Sequence, residues 1–254
     1  KATKEEYLGV DSSLEFLGFN ISKEQGLGGA SVYMDQETAL KAMLSDFTHA
    51  ALPPKDSPMP TKALFDSDPT PLSALEQAAY RHHVGCLNYF ARAVRYDIGF
   101  AVSRLSRKMG CADGGAWKAL LHVLGYLSTT ADFRIGGCMS AGPDAFHFFV
   151  DSDHAGDRAS DARSQSGFLV FLNSFPVDWV SRRQPATSVS PAEAEIYAMR
   201  EVVVAGCLLQ WVAEEMGMQC FWPFVVQSDS KQAVSFQRDA APNSKLRGCF
   251  DLRS

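Results

Sequence analysis

The sequence predicts an α/β protein in two parts, a mainly helical first part with a small β element and a strand-rich second part. Apolar residues recur at helical spacing through much of residues 36–128. The composition changes near Gly136, where glycines cluster, and short apolar runs separated by turn residues follow. We therefore expect one domain over residues 1–140 and a second over residues 141–254.

The composition is that of an ordinary globular chain, with 254 residues and 46% hydrophobic content. The net charge of -5 gives no bulk attraction to nucleic acid, so such binding would depend on a local basic patch. Six cysteines are scattered without CxxC or zinc spacing, mostly among apolar residues. They predict buried free thiols in a reducing compartment and no disulfide-linked partner.

The chain carries no obvious targeting segment. No stretch reads as long and apolar enough to span a bilayer, and the start KATKEEY lacks a secretion signal. We expect no membrane partner and an intracellular location, cytoplasmic or nuclear. The chain begins without Met and stops at DLRS, so both ends read as cuts from a longer polypeptide.

The first part begins with a predicted hairpin. LEFLGFNIS at residues 14–22 reads as one strand, and a glycine-rich turn at residues 24–30 would join it to SVYMD at residues 31–35. Apolar spacing predicts a helix over residues 36–47. Residues 51–71 are rich in proline and read as a linker or surface loop.

Three longer helices complete the first part. Ser73 can cap the first of them, with Glu76 three residues later completing a capping box. A second helix is predicted over residues 96–109, and a third over residues 115–128 with Asp113 as its cap. These helices predict a bundle behind the small β element.

The second part has the predicted order β-β-β-α-β-α. Its segments are strands at residues 145–151, 166–172 and 177–181, a helix at 191–215, a strand at 222–227 and a short helix at 229–236. The first three strands form an antiparallel meander, and we expect the fourth to lie parallel to the first. Ser190 and Pro191 start the long helix, which we expect to bury Leu208, Trp211 and Val212.

Carboxylates stand at matching places in this pattern. Asp151 ends the first strand, Glu195 lies in the first turns of the long helix, and Asp229 follows the fourth strand. If the first and fourth strands are neighbours, these three acids meet and can hold a divalent cation. Asp153 and Asp157 read as turn acids. Taken alone, Asp151 could equally be a solvated strand-end residue.

The residues around these acids resemble the ribonuclease H domain of copia-type LTR retrotransposon Pol polyproteins. Residues 150–199 carry counterparts of its blocks D-A-D-x-A-G-D, R-S-x-S-G, W-x-S-[KR]-[KR]-Q and S-x-x-E-A-E-[YI]. Residues 80–127 are similar to the segment that links reverse transcriptase to ribonuclease H in these polyproteins. EFLGFNIS resembles the strand just after the polymerase active site. The resemblance covers nearly the whole chain.

The resemblance implies a ribonuclease H-like mixed five-stranded sheet, truncated at its C-terminus, behind the C-terminal part of a reverse transcriptase. It assigns catalysis and metal binding to Asp151, Glu195, Asp229 and Asp251. Two Mg²⁺ ions, with Mn²⁺ as a possible substitute, would lie about 4 Å apart between them. The lead-in SKLRGCF before Asp251 departs from the family pattern S-K-H-I-D-I-R, and Asp229 lies in S-D-S-K-Q-A rather than C-D-N-x-[SG]-A.

Candidates for contacts with a nucleic-acid backbone lie at one strand end and in a basic loop. They are Arg182, Arg183, Gln184, Lys245 and Arg247. The arginine pair also reads as an ordinary charged strand end. The partners that the resemblance implies are an RNA–DNA hybrid and the remainder of the reverse transcriptase polyprotein.

Two hypotheses about function follow. The first is a metal-dependent endonuclease that hydrolyses the RNA strand of RNA–DNA hybrids. The second is a non-catalytic retroelement remnant that binds nucleic acid or a protein. The paired aspartates of the polymerase would lie upstream of residue 1, so we expect no polymerase activity.

Overall fold

Two β-sheets organise the part of the chain that the computed structural model describes. The described residues are 9, 11–26, 29–59, 65, 67–138, 145–156, 162–218, 224–229 and 250–253. One sheet has four strands and the other five, and helices accompany both, so the architecture is the predicted mixed α/β class. The chain divides into two compact units, Lys1–Gly136 and Gly137–Ser254.

The four-stranded sheet has the order β1-β2-β3-β4. Its strands are β1 (Ser12–Phe16), β2 (Phe19–Gly26), β3 (Gly29–Asp35) and β4 (Ile135–Cys138). The predicted hairpin between β2 and β3 is confirmed. The prediction of one strand over residues 14–22 is wrong, because the chain reverses at Leu17 and Gly18 with φ of 52° and 80°. Only the glycine adopts this left-handed backbone without steric cost, and LG is a weaker turn signal than NG or DG.

The first unit has four described α-helices, two of which begin at the predicted caps. They are α1 (Glu37–Ser45), α2 (Ala74–Ala93), α3 (Gly99–Ser106) and α4 (Gly114–Thr129). Ser73 accepts a hydrogen bond from the Glu76 amide, and the Glu76 carboxylate accepts one from the Ser73 amide, which confirms the capping box. Asp113 accepts from the amide of Ala116 and caps α4. The predicted helix over residues 96–109 is shorter and opens with a 3₁₀ turn, Tyr96–Ile98.

The core of the first unit lies between these helices. Fully buried apolar side chains from α2, α3 and α4 form it, among them Leu87, Leu105, Leu120 and Leu124. The described residues of 51–71 form no helix or strand, as their proline content predicts. Phe65 nevertheless packs into this core, so the segment also contributes to packing.

The five-stranded sheet has the order β7-β6-β5-β8-β9. The elements of this unit are β5 (Phe146–Asp153), β6 (Gln165–Leu172), β7 (Phe175–Arg183), α5 (Pro191–Glu215), β8 (Phe224–Gln227) and β9 (Phe250–Arg253). The predicted antiparallel meander of β5, β6 and β7 is confirmed, and so is the parallel pairing of β8 with β5. The helix predicted to start at Asp229 lies outside the described residues.

Helix α5 packs one face on this sheet. Ala198, Met199 and Val202 are buried with Phe148 and Val150 of β5. The prediction that Leu208, Trp211 and Val212 are buried is wrong, since all three are exposed. At 100° per residue, Trp211 lies opposite Val202 and Leu208 about 120° from it. Because this side of the helix is apolar as well, periodicity could not select the buried face.

Helix α5 is also the one described helix long and apolar enough to cross a membrane. The prediction that no stretch is long and apolar enough to span a bilayer is therefore wrong, as judged by the length and composition of α5. A core helix of a soluble protein meets the same criteria, and α5 packs against the sheet through its inner face. The helix is weak evidence for a membrane span.

The cysteines are less buried than their apolar neighbours predict. Cys111 and Cys138 are exposed and Cys86 and Cys207 are half-buried, so the prediction of buried thiols is wrong for the described cysteines. Cys111 lies in the loop between α3 and α4, and Cys138 is the last residue of an edge strand. None of these four forms a disulfide. Cys220 and Cys249 lie outside the described residues.

Candidate metal centre

Three carboxylates meet at one edge of the five-stranded sheet. Asp151, Glu195 and Asp229 each present an oxygen, and these oxygens all lie within 4.8 Å of one another. The strand register explains the meeting of the two aspartates. Phe149 of β5 is paired with Gln227 of the parallel strand β8, and each aspartate comes two residues after its member of this pair. Both aspartates are exposed.

Hydrogen bonds at the start of α5 fix the position of Glu195. The Ser190 side chain accepts from the amide of Glu193 and caps the helix. The amide side chain of Gln184 donates to the carbonyl of Ala194 and to the hydroxyl of Ser166 on β6. The first turn of α5 is therefore tied to the sheet directly beside Glu195.

Glu195 is the buried member of the three acids, with 8% of its surface exposed. The Ser152 hydroxyl donates to its Oε1 at 2.8 Å. Its Oε2 is buried and has no hydrogen-bond partner among the described residues. Burial raises the pKa of the Glu195 carboxyl, and the charges of Asp151 and Asp229 raise it further, while the Ser152 hydrogen bond lowers it.

The donor set fits a hard divalent cation. All three groups are carboxylates, and Mg²⁺ prefers oxygen ligands of this kind. A buried carboxylate oxygen without a partner is costly, and a cation at the centre of the three acids would satisfy the Oε2 atom of Glu195. The sequence-predicted residues Asp151, Glu195 and Asp229 could therefore hold a metal ion together.

We expect Glu195→Gln to raise the thermal stability of the metal-free protein. The fold favours the neutral carboxyl, because burial and two neighbouring charges raise the pKa of Glu195. Such a group stabilises the fold below its ordinary pKa of 4.5 and loses this contribution as pH rises through the folded-state pKa. The advantage of the glutamine variant should therefore be small near pH 4.5 and grow towards neutral pH.

Thermal unfolding in EDTA between about pH 4 and pH 8 measures this difference. Glu193→Gln is the matched control, because Glu193 lies on the same helix turn but is exposed. Glutamine keeps an acceptor for the Val189 amide, which Glu193 now binds. A difference between wild type and Glu195→Gln that shrinks with rising pH would contradict the electrostatic account.

Asp251 lies in β9, where it is paired with Val225 of β8. The side chain of Asp251 is outside the described part of the structure, so its place in the cluster stays a prediction. Asp153 is exposed, and its carboxylate lies against Gly156, where a β-carbon would clash with it. Asp153 is the last residue of β5, and a turn role for its side chain stays a prediction. Asp157 is outside the described residues.

Gln184 does not fit the predicted role in nucleic-acid binding. Only 1% of its surface is exposed, and its side chain bonds Ser166, Ala194 and the hydroxyl of Ser188. The prediction places Gln184 at the surface beside two arginines, whereas its side chain is buried and hydrogen-bonded within the protein. Its observed role is to hold the start of α5 against the sheet.

The two arginines before Gln184 are more accessible. Arg182 is exposed at its strand end, but its guanidinium donates twice to Oε1 of the buried Glu201, at 2.9 and 2.6 Å. Arg183 is half-buried. Lys245 and Arg247 lie outside the described residues. Contact of these four side chains with nucleic acid stays a prediction.

Ser152 is the site residue that the sequence reasoning missed. Its hydroxyl holds Glu195, and its amide donates to Oδ1 of Asp151 at 2.8 Å. The available signal was a difference from the family pattern, because D-A-D has alanine where this chain has Ser152.

The fold and this cluster together define a mixed α/β protein with an all-carboxylate site suited to a divalent cation. No family model matches the chain. It is 34% identical to the retrovirus-related Pol polyprotein from transposon RE2 of Arabidopsis thaliana over 175 residues. This alignment covers 66% of the present chain. It is 24% identical over 239 residues, 92% of this chain, to the Pol polyprotein from transposon TNT 1-94 of Nicotiana tabacum. The chain is thus similar to part of the retrovirus-related Pol polyproteins of transposons.

The matched region is a small share of these relatives. It spans 11% of the RE2 polyprotein and 18% of the TNT 1-94 polyprotein. A shorter relative is the secreted RxLR effector protein 161 of Plasmopara viticola, 33% identical over 127 residues. That alignment covers 50% of this chain and 88% of the effector. The matches to the RE2 and TNT 1-94 polyproteins confirm the predicted resemblance to a retrotransposon Pol polyprotein.

Proposed function

We propose that residues 141–254 form a ribonuclease H-like domain that hydrolyses the RNA strand of RNA–DNA hybrids within a retrotransposon Pol polyprotein. The observation that carries the proposal is the cluster of Asp151, Glu195 and Asp229, whose oxygens lie within 4.8 Å of one another. The sheet order β7-β6-β5-β8-β9 with parallel β5 and β8 supports it, since this order agrees with the ribonuclease H resemblance. Residues 1–140 would be the C-terminal, connecting part of the reverse transcriptase.

The proposed site uses Mg²⁺, with Mn²⁺ as a substitute. Two bound ions would lower the pKa of an attacking water and stabilise charge on the attacking and leaving oxygens. Asp151 and Asp229 offer exposed oxygens at the sheet edge, and Glu195 offers its unpaired Oε2. Asp251 would complete the set of ligands.

The proposed substrate is a hybrid held by its backbone. Arg182 and Arg183 at the end of β7, with Lys245 and Arg247, would contact phosphates. The choice of the RNA strand would depend on its 2′-hydroxyls, which DNA lacks. An intracellular location would follow from such a role.

Cleavage of a hybrid tests the proposal. The RNA and DNA strands carry different fluorophores, and the chain is incubated with the hybrid in Mg²⁺, in Mn²⁺ and in EDTA. We expect cuts in the RNA strand alone, only with metal, and no cuts in single-stranded RNA or in the DNA duplex. Cleavage that persists in EDTA, or absence of cleavage in both metals by a chain extended past Ser254, would overturn it.

A second candidate is a non-catalytic remnant that binds nucleic acid or a protein. The observation that favours it is the effector from Plasmopara viticola, because 88% of that protein aligns with half of this chain. A region of this kind therefore occurs as nearly a whole protein outside a polyprotein. In this case the hybrid would bind without turnover, and Asp151→Asn would bind it more tightly because a repelling charge is lost. Weaker binding by that variant in Mg²⁺ would argue against the remnant.

A further inference from the structure

We propose that Ser152 is a positioning residue that sets which oxygen of Glu195 faces the metal. The inference rests on the proposed function, because it concerns the same carboxylates. Ser152 is not a proposed ligand. It would act through Glu195, by occupying Oε1 and leaving Oε2 for the cation.

The strand geometry places Ser152 between the acids. Side chains alternate along β5, so Ser152 shares a face with Val150, which is buried with α5. The Ser152 hydroxyl consequently reaches Glu195 on the helix, and its amide binds Asp151. One residue thus contacts two of the three carboxylates.

The hydroxyl matters because glutamate has a flexible side chain. Holding a glutamate in one rotamer costs conformational entropy, and a hydrogen bond to a charged oxygen is among the stronger bonds available to offset it. With a methyl group at position 152, Oε1 would lose the partner that now holds it beside two like charges. The carboxylate would then no longer be held in one orientation before metal binds.

The sequence supplies a clean substitution. The family pattern has alanine at this position, so Ser152→Ala should leave the fold intact and remove only the hydroxyl. Ser152→Thr keeps a hydroxyl and suits a strand. Ser181→Ala is the matched control, since its hydroxyl accepts from Gln165 on the same sheet and does not touch the three acids.

The experiment is a titration with Mn²⁺, in which electron paramagnetic resonance measures the free ion. We expect Ser152→Ala to weaken Mn²⁺ affinity roughly tenfold, as loss of a residue that orients a metal ligand typically does. Ser152→Thr should restore most of the affinity, and Ser181→Ala should bind like wild type. Thermal unfolding in EDTA checks that all variants are folded.

The outcomes separate this inference from the proposed function. A wild-type chain that binds no Mn²⁺ overturns the metal site and this inference together. Wild type and Ser152→Ala binding with equal affinity overturns only the role of Ser152. Failure of Ser152→Thr to rescue a weakened Ser152→Ala also overturns it, because packing rather than the hydroxyl would then set the affinity.

Discussion

Replacing Asp151 by asparagine should abolish metal-dependent cleavage of the RNA strand. Asparagine has nearly the same shape but no charge, so the cluster loses one of the three carboxylates that would attract and hold the cations. Activity that depends on bound metal should fall by roughly a thousandfold or more. Single-turnover cleavage of a hybrid in Mg²⁺ and in Mn²⁺ measures the loss.

Asp153→Asn is the control for this substitution. It makes the same chemical change two residues further along the chain, on an exposed carboxylate that lies against Gly156 rather than in the cluster. The Asp153 variant should retain activity close to wild type. The Asp151 variant should stay folded, because loss of its charge relieves repulsion with Glu195. Equal metal-dependent cleavage by the Asp151 variant and wild type would exclude the carboxylate cluster as the nuclease site.

Local signals predicted the elements that position this cluster. Ser190 before Pro191 is a sufficient start signal for α5, and the position of Glu195 follows from it. A meander followed by a crossing helix predicted the parallel pairing of the first and fourth strands, and hence the meeting of Asp151 with Asp229. These features depend on short sequence patterns, so the sequence was enough.

Features that depend on tertiary contacts were not predictable in this way. Gln184 follows two arginines and looks like a surface residue, yet it is buried because Ser166 and Ala194 come to it from distant segments. Trp211 looks like a core residue, yet 66% of its surface is exposed, because α5 is apolar on both sides. In both cases the sequence states what a residue could do, and only the packing decides which partner it has.

Replacing Arg95 by methionine should strongly destabilise the helical unit. Arg95 is 2% exposed and donates to both oxygens of Asp97, and to the carbonyl and hydroxyl of Thr130 just after α4. Its guanidinium also lies over the rings of Phe133 and Tyr126, at 4.9 and 5.5 Å. Methionine fills similar space but leaves Asp97 without its cation in a largely buried place, which costs about 3–5 kcal/mol of unfolding free energy.

Urea unfolding of the full chain, followed by tryptophan fluorescence, measures the effect of Arg95→Met. Lys118→Met is the control, since it breaks the exposed ion pair with Asp68 and should cost at most about 1 kcal/mol. Adding Asp97→Asn to Arg95→Met should recover part of the loss, because the unpaired charge is then gone. If Arg95→Met costs no more than Lys118→Met, Arg95 does not hold the end of α2 to the end of α4. Partial recovery by Asp97→Asn would show that the unpaired carboxylate of Asp97 accounts for that part of the lost stability.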